Sequence, residues 1–320
     1  MSHIDNIYYR NLVLDRKSEL RKDPDWINTQ WNHNDCEILL VQNGLNLMHW
    51  QDRDASEPVA IRYPGPTVKN LVDQQAAIFL GLENDKPVFA AEIQADHASV
   101  EATIHQHHQF IDLREAGWLL PANDAAMLAL GRGIIFWNDQ NRFCGRCGEV
   151  LVQRYGGHMR ECINDGCSKL HFPRTDPAVI MLIEDRSDPT NPRCLLARNS
   201  RFPNRMMSTL AGFVDPLESL EETVIREAFE ETGVIVDEVT YQTSQPWPFP
   251  SSIMLGFRAS AVSTEIHVDG DEIEEAHWFT IDELTDFGEW GDDSDQFCLP
   301  RKDSIARYLV ESWKQECLNA

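Results

Sequence analysis

The chain has 320 residues, 42% of them hydrophobic, and its 52 acidic against 28 basic residues give a formal net charge of -24. A chain of this length calls for two or three domains, each with its own core. Nowhere is it apolar for long enough to span a membrane, and the start MSHIDNIYYRNLVLDRK lacks the apolar stretch of a secretory signal, so a cytoplasmic protein with no membrane association is expected. The charge argues against non-specific binding of a polyanion and suits a site that works through divalent cations, while a solvated acidic surface accounts for most of it.

Residues 1–138 read as a mixed α/β domain. EILLVQ (37–42), LNLMHW (45–50), AAIFLGL (76–82) and PVFAAEI (87–93) are short apolar runs separated by Asn-Gly, Pro-Gly and Asn-Asp, the pattern of strands and turns. NDAAMLALGRGIIFWNDQ (123–140) opens on a capping residue, Asn123, and continues as an apolar helix. No nucleotide motif or reactive constellation stands out here, and support or dimerisation is the expected role.

Residues 139–173 hold four of the eight cysteines. Cys144 and Cys147 form C-x2-C, a short two-strand spacer turns at Gly156-Gly157, and Cys162 and Cys167 form C-x4-C. Thiolates on two such knuckles can converge on one tetrahedral Zn2+, which would hold together a segment too small to fold on its own burial. Four sulfur ligands leave no open position, so the metal would be structural. A redox dithiol and four uninvolved thiols are the competing readings.

Residues 174–320 alternate strand, loop, helix and strand: PAVIMLIE (177–184), RCLLARN (193–199), a helix from about Glu218 to Thr232 stopped by Gly233, IMLGFRASAV (253–262), EEAHWFTI (274–281) and a closing helix over 303–318. In the first helix, Leu220, Val224 and Ala228 fall at i, i+4 and i+8 and form a core-facing stripe. Glu227, Glu230 and Glu231 fall at i, i+3 and i+4, so three carboxylates share one face. Like charges at that spacing oppose helix formation, and Arg226 neutralises one at most. Such a surplus of hard oxygen donors is what Mg2+ or Mn2+ requires; a solvated acidic face is the alternative.

The spacing G-x5-E-x7-R-E-U-x-E-E-x-G-U is met at Gly212, Glu218, Arg226, Glu227, Glu230, Glu231 and Gly233, with apolar Ala228 and Val234 at the U positions. This resembles the Nudix box. The resemblance implies a Nudix α/β/α sandwich at the C-terminus, preceded here by the four-cysteine zinc ribbon and the mixed α/β N-terminal domain. It also implies that Glu227, Glu230 and Glu231 hold the catalytic cations, that Arg226 and Glu218 orient the helix and its loops, and that the Ala211 carbonyl completes the metal shell. Where relatives usually read Glu-Pro-Gly-Glu in the box loop, this chain has Asp215-Pro216-Leu217-Glu218; Leu217 reaches positive φ only at a cost, so a reshaped loop is expected.

Beyond the box, SQPWPFPSS (244–252) resembles the marker of the NADH pyrophosphatase branch of the family. Pro246, Pro248 and Pro250 preset a loop shape and reduce the entropy lost on binding, and Trp247 and Phe249 can stack on a nicotinamide or adenine ring. Gln245, Ser251 and the neighbouring Ser252 complete a substrate-binding loop, with Gln245 and Ser251 able to hydrogen-bond an amide or ribose; a plug at the end of a core is the competing reading for Trp247. By the same resemblance, Glu272 is the best match for a further metal ligand, with Glu274 and Glu275 as rivals. Ala306 would lie against the nucleotide, and Phe172 and Phe213 are candidate ligand contacts.

The activity implied is metal-dependent hydrolysis of the pyrophosphate of NADH or NAD+ to nicotinamide mononucleotide and AMP, in a homodimer. Two alternatives stay within the family: removal of NAD caps from RNA, which would need a local basic track such as Arg193, Arg198, Arg201 and Arg205, and a broader action on ADP-ribose or diadenosine polyphosphates. A non-catalytic ligand sensor or zinc-ribbon nucleic-acid adaptor is the reading from outside the enzyme class.

Overall fold

The computed structural model describes residues 7–53, 56–201, 205–268, 270–291 and 295–319. The chain divides into two units. One comprises Tyr9–Thr175 with Pro248–Ser251, the other Met1–Tyr8, Asp176–Trp247 and Ser252–Ala320.

The first unit starts with helix α1 (Pro24–Trp31), which the sequence reading did not anticipate although Asp23 caps it and Pro24 begins it in the standard way. Strands β1 (Glu37–Gln42), β2 (Leu45–His49), β3 (Val59–Ala60) and β4 (Tyr63–Pro64) precede a short helix α2 (Gly65–Val68). After β5 (Ile78–Glu83) and β6 (Lys86–Glu92) come α3 (His97–Thr103), β7 (His108–Ile111), α4 (Leu113–Ala116) and the long α5 (Ala122–Gln140). The central order is β3-β2-β1-β6-β5, with β1 and β6 parallel and the other neighbours antiparallel. Two tight turns carry paired positive φ angles, at Asn43-Gly44 and Asn84-Asp85, where the Asn-Gly and Asn-Asp signals placed them.

Asn123 does not cap α5. The helix begins one residue earlier after Pro121, and the Asn123 side chain instead accepts from the Val13 N–H at 2.8 Å and donates to Glu83 at 2.9 Å. A residue with good capping chemistry has been taken up by tertiary hydrogen bonds.

The cysteine segment belongs to this unit. Strands β8 (Leu151–Arg154) and β9 (Met159–Cys162) form the spacer hairpin, turning at Gly156-Gly157, and β10 (Leu170–His171) adds a third strand. The turn is pressed onto β5: a Cβ at Gly157 would overlap the Ile78 side chain. His158, buried beside it, shares a 2.8 Å hydrogen bond with the Phe79 carbonyl, and Asn138 of α5 donates to the Gly157 carbonyl at 2.8 Å.

The second unit is built on β11 (Asp176–Asp185), β12 (Arg193–Asn199), β13 (Leu210–Phe213), helix α6 (Leu220–Thr232), β14 (Val236–Trp247), β15 (Ser252–Ala261), β16 (Ile273–Thr280), α7 (Ile281–Thr285) and α8 (Ile305–Asn319). The sheet order is β14-β15-β11-β12-β16, with β13 paired to β11 and the β11–β15 pair parallel. Alternate residues of β11 face opposite ways. Val179, Met181 and Ile183 pack with Val224 and Ala228 of α6, whereas Ile180 and Leu182 pack with Leu309, Val310 and Trp313 of α8. That is the α/β/α sandwich, with helices on both faces of a buried strand. Among the described residues no helix is long and apolar enough to cross a membrane.

Candidate active site

Ser219 caps α6 through a capping box with Glu222, and Gly233 ends it at φ 71°. Glu218, one residue before the cap, is left to act as a latch. It accepts from Arg226 Nε at 2.6 Å and from a second guanidinium nitrogen at 2.9 Å, from Thr223 Oγ1 at 2.9 Å, and from the Asp215 N–H at 3.1 Å. Hydrogen bonding to Arg226 is the main reason its carboxyl falls to about 2, so Glu218 is ionised at any physiological pH. Arg226 also donates to the Phe213 carbonyl at 2.9 Å, which ties α6 to the end of β13.

The three box glutamates have different surroundings. Glu230 is the outermost, 2.8 Å from Arg226, and Glu227 is 2.9 Å from the same guanidinium. Glu231 is buried, at 5% exposure. Glu227 occupies the space a side chain on residue 212 would need: a Cβ on Gly212 would overlap its carboxyl carbon and both oxygens. The first glycine of the motif therefore lets a carboxylate lie against strand β13. Burial raises the Glu227 carboxyl above its ordinary value, Arg226 opposes that, and the charges of Glu230 and Glu272 add to the rise.

That last contribution separates the three candidates for the fourth carboxylate. Glu274 and Glu275 both pair with Arg198, the latter at 2.8 Å, while the charge of Glu272 contributes to the rise at Glu227. A carboxylate that feels the charges of Glu230 and Glu272, with a glycine keeping room for it, offers the hard oxygen donors that a divalent cation takes. In the first unit, Cys144, Cys147, Cys162 and Cys167 have sulfurs all within 4.8 Å of one another, with Cys144–Cys167 at 3.9 Å and Cys147–Cys162 at 3.5 Å. Tetrahedral Zn2+ with bonds of about 2.3 Å sets its sulfurs about 3.8 Å apart, so this cluster is compatible with zinc.

The remaining expected site residues are less uniform. Ser244 to Trp247 are not loop but the end of β14, an edge strand, which is where Pro246 is tolerated. Gln245 is fully buried: its amide nitrogen donates to the Asp303 carbonyl at 2.9 Å, and its oxygen accepts from the Ile305 N–H at 2.9 Å. It thus fixes the start of α8, whose second residue, Ala306, is itself buried. Trp247 is half-buried, and Ser252 begins β15 opposite it. Pro248, Phe249, Pro250 and Ser251 count with the first unit, where the buried Phe249 ring packs edge-on to Tyr9 at 5.6 Å and carries the Arg114 and Arg132 guanidinium groups, each 5.1 Å from its centroid. The Phe249 ring is accordingly already engaged by side chains of its own unit.

Phe172 in the first unit and Phe213 in the second are both exposed, and Ala211 pairs with Ile180 beside Gly212. Leu217 does adopt positive φ, 76°, as the third residue of a turn closed by Glu218 N–H to the Asp215 carbonyl at 3.1 Å, and it is fully exposed. The basic track expected around residues 193–205 is partly neutralised, since Arg193 pairs with Asp185 and Arg198 with Glu274 and Glu275. Thr223, which joins the Glu218 latch, was not foreseen: a lone threonine on a helix gives no sequence signal that distinguishes it.

Residues 174–298 match the NUDIX domain, and residues 30–137 match the NADH pyrophosphatase-like rudimentary NUDIX domain. Over 341 residues the chain is 33% identical to the NAD-capped RNA hydrolase NUDT12 of Macaca fascicularis, covering 96% of this chain and 73% of that protein.

The chain belongs to the Nudix hydrolase family.

Among its Nudix relatives are the mitochondrial NAD(P)H pyrophosphatase NUDT13 of Homo sapiens, 36% identical over 73% of this chain and 70% of that one, and the NAD-capped RNA hydrolase NudC of Stutzerimonas stutzeri, 43% identical over 55% and 56%. The match to residues 30–137 gives the first unit a place in the family that its sequence did not disclose. Like the Nudix domain proper, its sheet has one parallel pair among antiparallel neighbours, β1–β6 here and β11–β15 there.

Proposed function

We propose that this Nudix hydrolase cleaves the pyrophosphate of NADH and NAD+, releasing AMP and the corresponding nicotinamide mononucleotide. The observation that carries the reading is the seating of Glu227 against Gly212 while Arg226 and Glu218 lock the same helix to its loops. The names of the relatives, an NAD(P)H pyrophosphatase and NAD-capped RNA hydrolases, support the substrate class.

In this reading Glu227, Glu230, Glu231, Glu272 and the Ala211 carbonyl hold Mg2+ or Mn2+, and the four cysteines hold structural Zn2+. Bound divalent cations would neutralise the pyrophosphate oxygens and lower the pKa of an attacking water. Arg226 and Glu218 keep the glutamates in place. Trp247 at the end of β14, with Gln245, Pro246 and Ser252, shapes the dinucleotide site; Gln245 does so from within, by fixing α8 and hence Ala306. Phe172 and Phe213 are further ring contacts. A homodimer in the cytoplasm completes the reading, and all eight cysteines are free of disulfides, as a reducing compartment requires.

Product analysis tests it: zinc-loaded protein with NADH, NAD+ and ADP-ribose, with and without Mn2+, beside Glu231→Gln. NADH should yield AMP and reduced nicotinamide mononucleotide, with metal only, and Glu231→Gln should lose turnover far more than binding. Equal cleavage of ADP-ribose would replace this reading with a broader nucleoside-diphosphate hydrolase. The relatives' names also favour a second substrate, the NAD cap of RNA. Its cleavage would weaken steeply with added salt, whereas that of the free dinucleotide would barely change.

A further inference from the structure

Four histidines of the first unit, none of them used in the reading above, gather where β7 begins. His49, the last residue of β2, is the direct antiparallel partner of His108, so their side chains share a face of the sheet. His105 and His107 enter from the turn before β7, which is closed by the His108 N–H to the His105 carbonyl at 2.8 Å. Ring centroids lie 5.1 Å apart for His105–His107, 5.3 Å for His105–His108, 5.8 Å for His49–His108 and 6.5 Å for His49–His107.

Those spacings have a chemical meaning. Imidazoles bound tetrahedrally through bonds of about 2.1 Å place their ring centres about 5 Å apart. Protonated rings at such distances repel, and neutral rings are ligands. Tyr63 Oη lies 3.0 Å from His108 Nδ1 and accepts the His105 N–H at 3.0 Å. In the tautomer whose Nδ1–H donates to Tyr63 Oη, His108 keeps its Nε2 lone pair for a metal, an outer-sphere arrangement common to histidine ligands.

We infer that His49, His105, His107 and His108 form a binding site for a late first-row divalent cation such as Zn2+, Co2+ or Ni2+. Imidazole suits these ions, and the site differs in ligand type from both the thiolate and the carboxylate sets. Among the described residues the four cysteines are the set whose ligand atoms already lie within 4.8 Å of one another, so uptake here requires imidazole rings to turn about their side-chain bonds, which the exposed position of His105 permits.

The experiment uses full-length protein with its cysteines loaded with zinc and its carboxylates saturated with Mg2+, titrated with Co2+ and read by visible absorption and equilibrium dialysis. The expected result is one Co2+ per chain, with d–d bands and no thiolate charge-transfer band. The double variant His105→Ala/His107→Ala, and His107→Gln alone, checked for folding by circular dichroism, should bind at least tenfold more weakly, and His33→Ala should bind as wild type does. Absence of uptake, a charge-transfer band, or equal affinity in the histidine variants would overturn the inference. The readout is independent of hydrolysis, so it stands or falls separately from the proposed activity.

Discussion

Gly212 and Glu227 share one volume. Helix α6 can bring its carboxylate onto β13 only because residue 212 has no side chain. Gly212 lies in an ordinary strand conformation, so alanine there imposes no backbone strain. Gly212→Ala should therefore displace Glu227 rather than unfold the domain. We expect kcat for NADH to fall by about a hundredfold, the scale set by a misplacement of about 1 Å, while the melting temperature moves by only a few degrees. Normal turnover in this variant would mean that Glu227 is not held for catalysis.

Leu217 occupies a type II turn position suited to glycine, at φ 76° and fully exposed, with Pro216 before it. The left-handed conformation costs a non-glycine residue about 1–2 kcal/mol, part of which glycine would return as chain entropy. Leu217→Gly should raise unfolding stability by about 0.5–1 kcal/mol in urea titrations and leave Mg2+ and Mn2+ dependence unchanged. A change of metal preference would show that the side chain itself shapes the cation site.

Gln245 is buried between Asp303 and Ile305, where its amide bridges backbone groups at the start of α8. Gln245→Leu leaves a buried carbonyl and N–H without that partner, at a cost of about 2 kcal/mol in unfolding free energy. Loss of affinity for NADH should follow the loss of stability. If KM rises in a variant of unchanged stability, Gln245 touches the substrate directly.

His158 supplies the pH dependence. Burial depresses it to about 4 from an ordinary 6.5, so the folded form keeps it neutral while the unfolded chain protonates it first. The unfolded state then binds more protons between these values, and stability falls as pH drops from 6.5 towards 4, by about 3 kcal/mol in all. His158→Gln keeps a donor for the Phe79 carbonyl and should flatten this slope. An unchanged slope would assign the acid sensitivity to other groups.

Much of this protein was written locally. The box spacing is a periodicity of one helix, so Glu227, Glu230 and Glu231 could be gathered within one turn, and Leu220, Val224 and Ala228 in one core stripe, from residue numbers alone, while the burial of Glu231 beside that stripe came from packing. The paired cysteines on a hairpin likewise announced their convergence, because ligand and turn are close in the chain. The tertiary structure decided what depends on partners distant in sequence. It took Asn123 away from capping and gave it to Val13 and Glu83, and it made Gln245 the anchor of a helix about 60 residues later. It also buried Phe249 among Tyr9, Arg114 and Arg132, and set Glu274 and Glu275 against Arg198. A side chain's chemistry is fixed by its type, but which groups compete for that chemistry is set only when the chain packs, because hydrogen bonds and charges act over a few ångströms of space whatever the sequence distance.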